Sequence, residues 1–318
     1  MLKKHKNIYI YMFNWLPQLK TRGYIPDTIL DIGAHHGNWT TSMMSIYPDA
    51  KYYLFEGINY KELEKFKFNS NVTVKNVLLN DKPDIVDWWE EKNTGDSFYK
   101  EKSKFFVNTK AIKRVTVDLD TLIDTDNILK DTGNTLIKID CQGAEIPILK
   151  GSKKILPHTD FIILEMPLFG EYNEGVPTFT DHIEFMDKIG FSTFDMVELH
   201  TINGFTQQVD MLFINTTSKF YTEFTRKQNS SDFKVIDYGE KVYHTEFVKQ
   251  HAVIEGDFIP VIMLIDNLVA DLKIMQDYNF IPFNIIKNSN TLGVAELHMI
   301  FIKNTHKFNT IVQEKLFT

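Results

Sequence analysis

Acidic residues at the ends of short apolar runs are the feature of this sequence that can do chemistry. The run Thr28-Ile29-Leu30-Asp31-Ile32 stops at Gly33 and continues as Ala34-His35-His36-Gly37. Gly33 permits a tight turn, Ala34 lets a ligand approach the backbone, and Gly37 allows the next helix to start in close contact. Amide groups at such a helix start suit an anion, either a nucleotide phosphate or a carboxylate. Two glycines make only a weak nicotinamide fingerprint. Asp31, just ahead of the turn, suits an ammonium group better than a pyrophosphate. S-adenosylmethionine offers that ammonium together with a sulfonium cation and a carboxylate for the helix end.

Three further carboxylates stand in comparable positions. Glu56 ends the strand-like run Tyr53-Leu54-Phe55, at the distance from the turn where a ribose-hydroxyl partner is expected. Asp140 closes Leu136-Ile137-Lys138-Ile139 and is followed by the flexible Gly143-Ala144; it can hold a cofactor, orient a hydroxyl or accept its proton. Glu165 ends Ile162-Ile163-Leu164 on the same expected rim, where it either shares that work or caps the next helix. His35 and His36 lie in the Gly turn, and His36 is a reserve base; His200 reads as a surface residue. No His-x-x-x-His or comparable metal spacing occurs, so no metal ligand is assigned. A Gly-x-Ser-x-Gly elbow and a Gly-Lys-Ser/Thr phosphate loop are also missing. Trp88 and Trp89 read as core.

The elements that must carry these residues alternate. Strands are expected at 28–32, 51–55, 72–79, 84–89, 111–117, 136–141 and 161–166, with helices from Asn38, over 60–68, 118–124, 145–150 and 182–188. Strand and helix in turn build a mostly parallel sheet covered on both faces. Phe191–Leu199 and Val209–Ile214 follow with only a short link, so they must form an antiparallel hairpin. An N-terminal helix runs through Ile8, Met12, Trp15 and Leu19, with a break near Asn14 and Pro17 and a stop at Gly23. Met211–Phe220 resembles Met299–Phe308, and Gly190-Phe191 with Phe194 aligns with Asn279-Phe280 and Phe283. A helix-plus-hairpin unit is therefore expected twice, joined by a polar linker at 228–232. The domains divide as 1–218, the ligand-binding sheet, and 219–318, an α+β extension.

Composition narrows the function. A net charge of -7 and a pI near 5.8 argue against a nucleic-acid backbone as partner, and no long Lys/Arg run suggests a local basic patch. One cysteine, Cys141, rules out an intrachain disulfide or a cysteine zinc cluster and fits a reducing cytoplasmic setting. The basic, aromatic start reads as mature structure rather than a signal peptide, and no run reaches the ~18 apolar residues of a membrane span.

Taken together, Ile29–Thr40, Leu54-Phe55-Glu56, Gly95-Asp96-Ser97-Phe98, Val117–Asp120, Lys138–Glu145 and Leu149-Lys150-Gly151 resemble the FkbM-type methyltransferases over about residues 15–215, in the family's order. Leu19–Pro26 resembles the family's lead-in. Gly57 where proline is common, and Cys141 where valine is usual, are departures. The resemblance implies a doubly wound Rossmann-like sheet, S-adenosylmethionine as cofactor, and O-methylation of a hydroxyl on a sugar, glycan or small molecule. It implies that Asp31, Gly33 and Gly37, with Ala34 and His35 between them, hold the methionine part and Glu56 the ribose. By the same resemblance Asn80, Asp96 and Ser97 would lie near the adenine and the mouth, and the Asp140 segment would face the methyl group. The rival readings are a methyltransferase-fold binding protein acting through its C-terminal unit, and a nicotinamide-dependent reductase. For the tail, acceptor recognition and self-association into a homo-oligomer both stay open.

Overall fold

The computed structural model describes residues 16–129, 132–168, 172–202, 205–225, 243–244, 258–264, 268–277, 279–286 and 296–303. Most of the expected N-terminal helix and the linker at 228–232 lie outside these residues; within them the chain is helical from 16 to 21 and turns at Gly23, whose φ is 97°. The chain forms two compact units, 1–165 with 171–177 and 166–170 with 178–318. The hairpin expected over 191–214 falls in the second of these units.

The first unit is a parallel sheet. Its strands are β1 (Thr28–Ile32), β2 (Lys51–Glu56), β3 (Val72–Asn76), β7 (Thr135–Ile139) and β8 (Thr159–Pro167, as far as Glu165), in the order β3-β2-β1-β7-β8. β1, β7 and β8 are buried at every residue, as strands covered on both faces must be. Chain order reverses between β1 and β7, which puts the turns after these two strands side by side. Open α/β sheets bind their ligands at such a switch point. A Cβ added to Gly33 would meet the Asp140 carbonyl oxygen at 1.9 Å, so the two turns touch only because that side chain is missing.

Helices α1 (Asn38–Ile46), α2 (Leu119–Asp126) and α3 (Glu145–Lys150) link these strands. α1 starts after Gly37, whose φ of 68° and contact with Phe66 leave no room for a Cβ. The Asp118 side chain caps α2 by accepting from Thr121 N–H. Two expectations are corrected here. The helix expected over 60–68 is a 3-10 helix over Lys61–Phe66, and Tyr60 ahead of it offers no side-chain cap. The strand expected over 72–79 breaks at Val77, whose N–H donates to Glu56 O. Beyond the break, β4 (Leu78–Leu79), β5 (Ile85–Trp88) and β6 (Ile112–Val117) form a separate small sheet in the order β4-β6-β5.

In the second unit, helix α4 (Phe179–Lys188) is held by a capping box between Thr178 and Asp181. It packs on β9 (Phe191–Ile202), which pairs antiparallel with β10 (Phe205–Asn215). The end of β8 belongs here, with Leu168 N–H donating to Gln207 O. After α5 (Lys219–Thr225) come β11 (Tyr243–His244), β12 (Phe258–Leu264), β13 (Phe280–Ile286) and β14 (Glu296–Lys303), a four-stranded sheet in the order β11-β12-β14-β13. Helix α6 (Leu268–Asp277) precedes β13 and packs against α4, while β13 also contacts β10. Leu272, Met275, Phe280, Met299 and Phe301 are buried. No described helix is long and apolar enough to cross a membrane.

Candidate active site

The β1 turn is built from backbone. Gly33 and Ala34 N–H both donate to Phe55 O, and Gly37 N–H donates to Ala34 O. These bonds fold the turn over the end of β2, where Glu56 closes it. The Glu56 carboxylate accepts from His35 N–H at 2.7 Å through Oε2 and from Ile58 N–H at 2.9 Å through Oε1. One side chain thus ties both loops together while its remaining lone pairs face the cleft. Burial raises its pKa, and the two amide bonds offset part of that rise.

An open cleft of about 700 Å³, counting its mouth, lies over the switch point. Gly33, His35, Glu56, Asp96 and Asp140 line it, so five of the residues singled out in the sequence come together there. Leu78, Leu79 and Trp88 form an apolar wall, and Tyr60 stands near the turn. Trp88 therefore serves the cleft as well as the core.

The remaining candidates stand behind or beside the cleft. Asp31 is fully buried; its Oδ2 accepts from Thr40 Oγ1 at 2.6 Å, which binds α1 to β1. Its pKa is raised by burial and lowered again by Lys138, its register partner on β7. Ala34 and Gly37 shape the turn without lining the cleft. Asn80 is buried with its N–H on Val117 O. Ser97 is buried too, its hydroxyl donating to Gln142 O at 3.1 Å, so it anchors the 91–104 loop to the turn after β7. His36 stacks on His35 with ring centroids 3.7 Å apart and sits 4.0 Å from Glu62. Burial, and then the neighbouring His36, lower the His35 pKa.

Asp96 accepts from Glu91 N–H at 2.7 Å and Asn93 N–H at 3.2 Å, and burial pushes its pKa to about 6. Asp140 is held from two sides, with Lys138 Nζ 2.9 Å from Oδ2 and Gln142 Nε2 3.2 Å from Oδ1. Gln142 Nε2 also donates to Glu165 Oε2 at 2.5 Å. Lys138 and Gln142 were not among the residues singled out. Both stood inside the Lys138–Glu145 motif that carries the family resemblance, and Lys138 was also a charge inside an apolar strand, but neither was given a role.

The residues present fit S-adenosylmethionine. Three carboxylates, Glu56, Asp96 and Asp140, border a cleft with an apolar wall, a lining suited to a ligand carrying a sulfonium and an ammonium beside an aromatic base. Burial raises the pKa of Glu56 and Asp96, and hydroxyl or amine donors of a bound nucleoside beside them would relieve that cost.

Comparisons with known proteins bear on the family. A family model described as the methyltransferase FkbM domain matches residues 31–193. No curated protein matches. Among solved structures, an FkbM methyltransferase from Methylobacillus flagellatus is 14% identical with a TM-score of 0.38, over 59% of this chain and 43% of that one. Human N-acetylserotonin methyltransferase in complex with the cofactor is 11% identical with a TM-score of 0.35, over 65% and 52%. Aeropyrum pernix fibrillarin, with natively bound S-adenosylmethionine, is 11% identical with a TM-score of 0.35, over 60% and 67%. This chain thus spans less than half of the Methylobacillus protein, and so distant a likeness says nothing of the acceptor. The family domain covers just over half of the sequence, and the chain belongs to the FkbM family of S-adenosylmethionine-dependent methyltransferases.

Proposed function

We propose that this protein transfers a methyl group to a hydroxyl oxygen of a sugar, glycan or other small molecule. The observation that carries the reading is Asp140, a carboxylate fixed by Lys138 and Gln142 at the border of the cleft. The bound cofactor supplies a methyl group on a positively charged sulfur. Glu56 accepts from the ribose hydroxyls with the lone pairs left over from His35 and Ile58. Leu78, Leu79 and Trp88 exclude water beside the base. Asp140 orients the acceptor hydroxyl and takes its proton, with the transfer needing close and in-line placement. Glu165, which shares the Gln142 amide, is the reserve for that proton; His36 faces Glu62 and is a weaker one.

Calorimetry with S-adenosylmethionine and with NAD, followed by methyl transfer to a panel of hydroxylated sugars and phenols, tests the reading. Binding of NAD alone would overturn it. Asp140→Asn should keep cofactor affinity within a few-fold and lower turnover by ~100-fold or more. We also propose that α6–β13–β14 repeats α4–β9–β10 and serves acceptor recognition or self-association. Its support is the shared order of helix and antiparallel pair, with Gly190 (φ 85°) and Asn279 (φ 63°) both left-handed at the junction. Deleting 221–318 should leave cofactor binding largely intact while changing acceptor turnover or sedimentation.

A further inference from the structure

We propose that the side-chain amide of Gln142 stands where a cation would otherwise sit between Asp140 and Glu165, so that this end of the site takes no divalent metal. The inference rests on the reading above, in which Asp140 faces the acceptor. A single nitrogen lies 2.5 Å from Glu165 Oε2 and 3.2 Å from Asp140 Oδ1. Ionised carboxylates only accept, and an amide nitrogen carries two hydrogens. The atom between the two acids must therefore be the nitrogen, with one hydrogen for each. Two like charges that close repel unless something positive lies between them, and the amide dipole provides it. Lys138 adds a full charge on the far oxygen of Asp140.

The backbone is arranged to deliver this amide. Gln142 has a φ of 53°, a left-handed conformation that is costly for a side-chain-bearing residue. Ser97 Oγ donates to its carbonyl, and Gly143 beyond it packs against Val176 so closely that a Cβ would lie 2.2 Å from Val176 Cγ1. The residue is buried. A strained and anchored backbone that aims one donor at two acids is a positioning device. The other ionisable groups around it in this unit include Lys138 on Asp140, Asp31 in register with Lys138, Glu145 beneath Cys141 N–H, Cys141, Glu56 and His35, each of which feels the Asp140 charge, and Tyr172, whose pKa is raised first by burial and to a lesser extent by the Glu165 charge.

Gln142→Glu in the full chain tests the inference without an acceptor, using Mn²⁺ alone as probe. A third carboxylate in place of the amide leaves a cage that only a proton or a metal can neutralise. The variant should bind Mn²⁺ at least tenfold more tightly than the unaltered protein, and adding Glu165→Gln should abolish the gain. Without metal, the introduced carboxyl group is buried between two acids, so its folded-state pKa lies above its unfolded one. Its contribution is present at low pH, where its single O–H donates to one of the two acids, and is lost as pH rises through the folded value. The melting temperature of the variant should therefore fall away from that of the unaltered protein between about pH 5 and 8. A gap that stays constant with pH, or equal Mn²⁺ affinity in both proteins, overturns the inference. Should the variant not fold, the unaltered protein decides, since Mn²⁺ binding that Asp140→Asn and Glu165→Gln each remove also overturns it, and binding that survives Asp140→Asn, or no binding, upholds it. Cofactor calorimetry on the unaltered protein reports separately on the proposed function.

Discussion

Replacing Glu56 by alanine removes the acceptor that ties two loops to the end of β2. His35 and Ile58 N–H, at 2.7 and 2.9 Å, both lose a charged partner. A hydrogen bond to a charged group contributes about 1.5–3 kcal/mol, and a part-buried amide left bare near its partner costs about 1–3 kcal/mol. Water can reach both amides through the cleft, so the lower ends apply to stability, and a loss of about 2 kcal/mol is expected in urea unfolding. For the cofactor, loss of a doubly bonded ribose acceptor lowers affinity by about 1.5–3 kcal/mol, or ~10–150-fold in Kd by calorimetry. Glu56→Gln separates the two effects. It keeps the shape, but its NH₂ confronts one of the amide donors, so it should lose affinity while recovering part of the stability. A folded alanine variant with unchanged affinity would refute the assignment of Glu56 to the ribose.

Other outcomes follow from the same geometry. Asp96, at about 6 when folded against 3.8 ordinarily, binds its proton more tightly in the native state. Its contribution is complete below about pH 4 and lost as pH rises through about 6, so the apo protein should lose stability over that window, and Asp96→Asn should flatten this part of the profile in denaturation series. Gly33→Ala meets both a φ of 80° and the Asp140 carbonyl. The dihedral alone costs about 1–3 kcal/mol, and separating the two turns should abolish cofactor binding in the soluble variant; retained binding would show that the β1 and β7 turns move independently.

What the sequence made legible was local. An apolar run stopped by Gly33 could only be a strand entering a turn, and a carboxylate at position 56 could only be a strand end. The run 72–79 looked continuous because nothing in it marks the bend; Val77 N–H makes the last bond to β2, on Glu56 O, and Leu78–Leu79 then pair with β6 instead. Lys138 was visible as a charge in an apolar strand, but its place between Asp31 and Asp140 depends on the parallel register of β1 and β7. Trp88 is buried whether it fills a core or walls a cleft, so alternation could not tell the two apart. The role of Gln142 needs three separate chain segments in place at once.

The acid-lined cleft also bears on how the enzyme would let go. S-adenosylmethionine enters with a charged sulfur, and after transfer the sulfur is neutral while the carboxylates around it are unchanged. On the proposed reading, the attraction that draws the fresh cofactor in weakens at the moment it is spent, and chemistry itself sets the direction of exchange. A surface that repels anions and favours one more positive charge would discriminate the charged from the discharged form without any moving part. Salt, by screening that difference, should narrow the gap between the two affinities from the substrate side.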